Sequence, residues 1–200
     1  MTPDALRTLF LVVYGVTFAV MVVKVLPAAA RNPAPARRAS DRQRWLPVVL
    51  VPFGFLVPPA AMLSRWGELA APLPAVRLAG VAVALYGIAM MLAAAATLGR
   101  FLVPQAVTLA DHALVTAGPY RVVRHPAYAG DLALWLGAAF ATANVVLLAL
   151  WPVYLLGVRA QMDAEEALLD AHFGPAFRAY AARTGRLLPR IRAHPRVVAG

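Results

Sequence analysis

The sequence predicts an all-α integral membrane protein with about five transmembrane helices, the last two forming a helical hairpin. Of the 200 residues, 62% are hydrophobic and 14% are charged, which is too apolar for a soluble domain. The apolar residues fall into runs of the length that a helix needs to cross a bilayer. The net charge of +10 comes mainly from arginines between those runs, which indicates the cytoplasmic membrane surface rather than nucleic-acid binding.

Two apolar runs open the chain. Residues 6–30 are long enough for one span, and residues 46–63 supply a second. The second run contains four prolines, which a bundle tolerates because neighbouring helices satisfy the carbonyls that proline leaves free. The Pro-, Ala- and Arg-rich residues 31–45 predict a solvated connector. A cleaved leader ending at Ala28-Ala29-Ala30 is an alternative, which the length of the apolar run disfavours.

The remaining spans lie further along the chain. Residues 74–98 form a third apolar run, and residues 132–156 would suffice for a fourth. However, Ala141-Thr142-Ala143-Asn144 interrupts this last run, and helical character continues to about His172. We therefore interpret the stretch from Pro126 as two helices with a tight turn near Asn144, which gives five spans with a short fourth. A four-span arrangement remains open.

The arginines predict the orientation of these spans. They concentrate in residues 31–45, in residues 100–128 and in the tail from residue 159. The other side of the membrane would hold only Arg7, Arg65 and Arg77. We therefore expect a multi-pass protein of the cell membrane with its N-terminus outside and its C-terminus in the cytoplasm. A four-span chain would place its basic tail on the wrong side.

The first polar segment is residues 118–130, which interrupt an apolar sequence. Proline disfavours helical geometry in the residue before it and suits the first position of a helix, so a helix should begin at Pro126 with His125 as its cap. The free amides of that helix end can hold an anion. Tyr128 lies in its first turn, and Gly130 permits a close approach. The alternative is that Arg124 and His125 merely lie among lipid headgroups.

The second polar segment is Asp163-Ala164-Glu165-Glu166. Glu165 shares a helix face with Gln161, whereas Glu166 shares another face with Asp163. Adjacent side chains on a helix point about 100° apart, so one glutamate can face a pocket while the other is paired or solvated. The alternative is a helix end that only faces water.

The segment after the second polar segment is predicted to end the helix and turn back. Phe173-Gly174-Pro175 terminates the helix, and residues 176–183 predict a short amphipathic helix bearing Phe177 and Tyr180. Residues 186–196 are expected to form a basic tail on the membrane.

Composition excludes several chemistries. The absence of cysteine excludes disulfides, thiolate catalysis and cysteine-ligated metal. The four histidines lack the spacing of metal ligands, and the sequence has no phosphate-binding glycine loop. We expect no bound metal and no nucleic-acid partner.

Taken together, the two polar segments resemble the isoprenylcysteine carboxyl methyltransferase family and, more loosely, the membrane phospholipid methyltransferases. The family pattern is Arg-His-Pro-x-Tyr-x-Gly, an apolar hairpin, Glu-Glu, and then Phe-Gly-x-x-(Phe/Tyr)-x-x-Tyr. The matching residues here are 124–130, 165–166 and 173–180, and residues 112–116 and 118–120 also match. The resemblance covers roughly residues 75–190.

The resemblance implies a methyltransferase that uses S-adenosylmethionine, bound on the cytoplasmic side, and releases S-adenosylhomocysteine. The implied acceptor is a lipophilic molecule or lipid that enters between helices, with carboxyl O-methylation of an isoprenylcysteine-like substrate as the leading reaction. The implied contacts of the methyl donor are Gln105, His112, Ala113, Leu114, Val115, Tyr120, His125, Pro126, Ala127, Tyr128 and Glu165.

The resemblance also organises the chain. We interpret residues 1–200 as a single membrane domain. Residues 1–74 carry two N-terminal spans and the basic loop, residues 75–190 form the methyltransferase core with its cytoplasmic cofactor site, and residues 190–200 form a basic tail.

One departure from the family pattern bears on the acceptor. The family has an arginine four residues before the first glutamate, where this chain has Gln161. A glutamine offers no charged fork to a carboxylate, and the nearest arginine is Arg159. Gln161 and Arg159 are therefore the candidate substrate-binding residues, and Arg159, Arg124 and Glu166 are the candidate catalytic residues. Phospholipid-type N-methylation, or S- or O-methylation of another small lipophilic acceptor, remains open.

A non-catalytic membrane protein, such as a small transporter or scaffold, is the alternative from another class. A transporter would be expected to show charged or broken helices at mid-membrane.

Overall fold

The structure is a computed structural model that describes residues 2–20, 22, 37–38, 45–70, 73–99, 107–108 and 113–190. These residues are mostly helical. The helices are α1 (Pro3–Val20), α2 (Leu46–Ser64), α3 (Pro74–Leu98), α4 (Pro126–Ala141), α5 (Val145–Phe173) and α6 (Pro175–Arg183), with a 3₁₀ turn at Gly118–Arg121. Two short strands, β1 (Arg37–Arg38) and β2 (Val107–Thr108), pair antiparallel.

Three of the described helices, α2, α3 and α5, are long and apolar enough to cross a membrane. This finding agrees with the membrane protein that the sequence predicts. The described part of α1 has 18 residues, and the predicted continuation of its apolar run lies outside the described residues. Helix α4 has 16 residues and is not among these three helices, so the predicted fourth span stays a prediction.

Small residues join α3 to α4. A Cβ atom added at Gly87 of α3 would lie 2.5 Å from the carbonyl oxygen of Gly130 on α4, and one at Gly80 would lie 2.3 Å from the amide nitrogen of Ala141. Close packing of this kind is common between membrane helices because lipid does not drive them together hydrophobically. The contact fixes the position of α4, whose first turn carries the first polar segment.

The predicted turn near Asn144 is confirmed, because α4 ends at Ala141 and α5 begins at Val145. The buried Asn144 side chain caps α5 by accepting a hydrogen bond from the amide of Leu147 at 3.0 Å. It also donates to the carbonyl of Trp66 at 3.0 Å. The turn is therefore tied to the residues that follow α2.

The chain turns back after α5, as the sequence predicts. Gly174 adopts a φ of 53°, and α6 then places Phe177 and Tyr180 in buried positions. The following segment reaches the start of α4, where the amide of Arg124 donates to the carbonyl of Gly185 at 2.8 Å. The expectation that Arg186 belongs to a basic tail on the membrane is wrong, because the amide of His125 bonds its carbonyl at 3.0 Å.

Candidate functional site

The site forms where the first turn of α4 meets the second half of α5. Helix α4 begins at Pro126 with His125 at its N-cap position, as the sequence predicts, although the backbone of His125 (φ −125°, ψ 60°) is not extended and its side chain does not cap the helix. The side chain of His125 is buried at 6% exposure. Its ring therefore lies between the two helices and not among lipid headgroups.

Glu165 is the centre of a partly buried hydrogen-bond network. One of its carboxylate oxygens accepts from the Tyr128 hydroxyl at 2.6 Å and from Nε2 of Gln161 at 3.0 Å. The other lies 3.6 Å from Nδ1 of His125. Gln161 and Glu165 thus share a helix face, as their spacing predicts.

Gln161 carries a buried atom that this network leaves unsatisfied. Its side chain is 1% exposed, and Oε1 has no hydrogen-bond partner among the described residues. Because Nε2 already donates to Glu165, flipping the amide would turn its oxygen toward a carboxylate. Leaving a buried acceptor unpaired costs about 1–3 kcal/mol, so this atom is suited to receive a donor from a ligand.

Glu166 has entirely different surroundings. It accepts hydrogen bonds from Nε of Arg124 at 2.8 Å and from Nε and Nη2 of Arg186 at 3.1 and 2.9 Å. Nε2 of His125 lies 3.0 Å away and must carry a proton, since a carboxylate only accepts. The hydrogen bonds that Arg186 donates to Glu166 raise the pKa of its guanidinium group. Glu166 is therefore enclosed by cationic and ring donors.

Arg124 is also occupied by other partners. Its Nη1 donates to the carbonyl of Ala181 at 2.9 Å and to the carbonyl of Thr184. Arg159 lies on the exposed face of α5 and makes no ion pair with the described residues. Of the two arginines that could hold an acceptor, Arg124 is engaged and Arg159 is accessible.

The 3₁₀ turn contributes the buried Tyr120, which contacts Tyr180 of α6. The hydroxyl of Tyr180 donates to the carbonyl of Tyr120 at 2.7 Å. Burial raises the pKa of the Tyr180 phenol to about 12. Leu114 and Val115 are half-buried and Ala113 is exposed, whereas Gln105 and His112 lie outside the described residues.

Two contacts of this region had no signal in the sequence. Arg186 follows Glu166 by twenty residues, and only the reversal at Gly174 brings the two together. Asp131 and Tyr154 pair inside the bundle although neither belongs to a polar segment.

Within the described ranges, no three His, Asp or Glu side chains are grouped as metal ligands.

This arrangement defines a helical membrane protein with a polar site between the start of α4 and the second half of α5. The family described as Phospholipid methyltransferase matches residues 76–176, which is half of the chain. The chain therefore belongs to the phospholipid methyltransferase family. The matched region contains both polar segments and ends before Arg186.

A curated relative refines this comparison. Over 82 residues the chain is 35% identical to Protein-S-isoprenylcysteine O-methyltransferase of Schizosaccharomyces pombe (strain 972 / ATCC 24843). The aligned part covers 40% of this chain and 35% of the relative, so the chain spans about a third of the relative's length. The resemblance drawn from the two polar segments is confirmed.

Proposed function

We propose that this chain transfers a methyl group from S-adenosylmethionine to a lipophilic acceptor within the membrane. The observation that carries the proposal is the cluster of Glu165, Tyr128, Gln161 and His125 at the start of α4. Membership in a methyltransferase family supports it. A scaffold has no use for a half-buried carboxylate beside an unsatisfied buried amide oxygen, so this geometry disfavours the non-catalytic alternative.

The chemistry of the cluster suits the polar groups of the methyl donor. Glu165 and the unpaired Oε1 of Gln161 can both accept hydrogen bonds, as an ammonium group or ribose hydroxyls require. The amides of Ala127 and Tyr128 in the first turn of α4 have no partner within their helix and can bind a carboxylate. When bound, S-adenosylmethionine supplies an electrophilic methyl group on a sulfonium. We retain Gln105, His112, Ala113, Leu114, Val115, Tyr120, His125 and Pro126 as proposed donor contacts.

The residues of this chain would promote the transfer by aligning the acceptor with the methyl donor and by excluding water from the site. Displacement at a sulfonium needs an aligned acceptor and no covalent intermediate on the protein. Glu166, with Arg124, His125 and Arg186, holds the start of α4 against α5 and so fixes Tyr128 beside Glu165. We therefore propose that Glu166 positions these residues and does not contact the acceptor, although the sequence suggested it as a catalytic residue.

Two acceptor classes follow from different observations. The name of the S. pombe relative supports an isoprenylcysteine-like carboxylate, for which Arg159 is the accessible cation. The neutral Gln161 in the place of the family arginine, and the engagement of Arg124 with Glu166, favour an amine or hydroxyl acceptor.

We also propose the topology that would serve this reaction. The chain would cross the cell membrane five times, with its N-terminus outside, and the Glu165 cluster would lie on the cytoplasmic side where the soluble donor is available. The concentration of arginines in the loops next to the cluster supports this orientation.

Calorimetry with S-adenosylhomocysteine on the detergent-purified chain tests the donor site without knowledge of the acceptor. We expect saturable binding that Glu165→Gln weakens, and absence of binding would contradict the proposal.

Transfer of radiolabelled methyl into lipid extracts, followed by mild base, tests the acceptor. Label released as methanol indicates a carboxyl ester. Label that survives base indicates nitrogen, sulfur or an ether oxygen, and complete survival would refute carboxyl methylation.

A further inference from the structure

A second polar cluster lies inside the apolar bundle, about one helical turn from the Glu165 cluster. Asp131 of α4 accepts a hydrogen bond from the Tyr154 hydroxyl of α5 at 2.6 Å. Tyr14 of α1 is buried in the same core as Tyr154, and Tyr128 of α4 packs against that core. Because Tyr128 itself bonds Glu165, the two clusters are adjacent along one face of α4.

Two polar atoms of this cluster lack partners. The Tyr14 side chain is 2% exposed, and its hydroxyl has no hydrogen-bond partner among the described residues. Asp131 uses one carboxylate oxygen for Tyr154, while the other receives no donor from the described part of the chain. An interhelical hydrogen bond would explain the pairing of Asp131 with Tyr154. It would not explain why the other oxygen of this partly buried carboxylate lacks a described donor while the Tyr14 hydroxyl, in the same core as Tyr154, is buried and unpaired.

Aromatic rings form the wall beside this cluster. The ring of Tyr154 stacks on Trp135 with centroids 4.7 Å apart and on Phe53 at 5.8 Å. A Cβ atom at Gly54 of α2 would lie 2.4 Å from the Tyr154 hydroxyl, so glycine leaves the space that this hydroxyl occupies. A few polar atoms against an apolar wall is the usual composition of a site for a small amphiphile.

We propose that Asp131, Tyr14 and Tyr154 bind the hydrogen-bond-donating head of a lipophilic ligand, an amine or a hydroxyl. The carboxylate accepts from the head, and the Tyr14 hydroxyl completes the contact as donor or acceptor. The described residues place no Lys or Arg against Asp131, so a carboxylate head would be repelled. That this ligand is the methyl acceptor rests on the proposed function, whereas the chemistry of the site rests on the geometry.

Binding of three eight-carbon probes to the detergent-purified full chain tests the site. Octylamine, octanol and octanoate are titrated while tryptophan fluorescence is followed, since Trp135 stacks on Tyr154. We expect saturable binding of the amine and the alcohol and at least about tenfold weaker binding of octanoate. Asp131→Asn keeps an acceptor for Tyr154 but removes the charge, so it should weaken octylamine about tenfold and octanol by less than about threefold.

Tyr14→Phe separates ligand binding from folding. It removes only a hydroxyl without a described partner, so the variant should be at least as thermally stable as the wild type. If that hydroxyl contacts the ligand, the variant should nevertheless bind octylamine and octanol more weakly than the wild type. Asp170→Asn and Tyr86→Phe, at positions away from the cluster, are the matched controls and should change nothing.

The outcomes distinguish this site from the proposed function. Octanoate binding as tight as that of octylamine, or unchanged affinities in both Asp131→Asn and Tyr14→Phe, would overturn the site. Asp131-dependent binding of octylamine by a chain that transfers no methyl group would support the site and refute the methyltransferase proposal.

Discussion

The side chains of Glu165 and Glu166 leave α5 about 100° apart, and this angle gives two neighbouring carboxylates different tasks. Glu165 accepts only from the neutral donors Tyr128 and Gln161 and keeps 23% of its side chain exposed. Glu166 is surrounded by Arg124, His125 and Arg186. The first is therefore available to a ligand, and the second stabilises the fold.

Glu165→Gln should weaken S-adenosylhomocysteine binding by about 1–3 kcal/mol, because it removes the charge that a ligand ammonium or hydroxyl would meet. The amide oxygen can still accept from Tyr128, so the melting temperature should stay near the wild-type value. Calorimetry and thermal unfolding measure the two effects separately. Asp170→Asn, on the same helix, is the control, and equal losses in both variants would show that Glu165 has no specific role.

Glu166→Gln should instead lower the melting temperature, with a loss of about 2 kcal/mol, because it leaves partly buried arginines without their counter-charge. Arg186→Gln should act in the same direction. The double variant should lose less than the sum of the two, since both changes break one contact. Additive losses in a thermal-unfolding series would mean that the pair is not coupled.

The residues of the site could be predicted from sequence only where a local pattern determines their position. His125, Tyr128, Gln161 and Glu165 follow from a helix start and a helix face, and the structure brings them together. Arg186 could not be predicted, because its contact with Glu166 depends on how far the chain turns at Gly174. All of the expected donor contacts remain predictions, and Gln105 and His112 among them lie outside the described residues.

At the scale of the helices, the contact between α3 and α4 decides where the site can form. Helix α4 is apolar on most of its surface, so its hydrophobicity does not specify which neighbour it packs against. The neighbour is specified by the glycines at positions 80, 87, 130 and 137, because each of them lets the backbone of one helix approach the backbone of the other.

Gly87→Ala should destabilise the bundle by about 1–3 kcal/mol, because its methyl group would meet backbone atoms of α4 that cannot move independently. Gly15→Ala is the matched control. Nothing lies within 4 Å of its Cβ position, and alanine favours a helix over glycine. Thermal unfolding in detergent compares the two. A Gly87→Ala chain as stable as Gly15→Ala would show that α3 and α4 are not closely packed.

The helix boundaries that the sequence predicted correctly are those where a proline, a glycine or a polar cap interrupts an apolar run. The sequence predicted residues 74–98 for α3, and the structure has Pro74–Leu98, because the residue before proline and the glycine at position 99 limit the run. The turn at Asn144 was also predictable, because a polar cap interrupts an apolar stretch. Length alone does not determine the number of spans, since α4 is short and part of the first run lies outside the described residues.

At the scale of the whole molecule, topology determines whether the Glu165 cluster can meet a soluble methyl donor. The cluster lies at the same end of α4 and α5 as Arg124 and Arg186, and the turn at Asn144 lies at the opposite ends of both helices. Positive charge is retained on the cytoplasmic side of membranes. The cluster should therefore face the cytoplasm and the turn should face outside.

Single cysteines test this arrangement in a chain that has none of its own. With five spans, Thr2→Cys and Val145→Cys should react with an impermeant maleimide in intact cells, because both would lie outside. Gly200→Cys and Arg121→Cys should react only in inverted vesicles. Reaction of Thr2→Cys and Gly200→Cys from the same side would refute five spans. Reaction of Val145→Cys from the cytoplasmic side alone would place the Asn144 turn, and not the Glu165 cluster, beside the soluble donor.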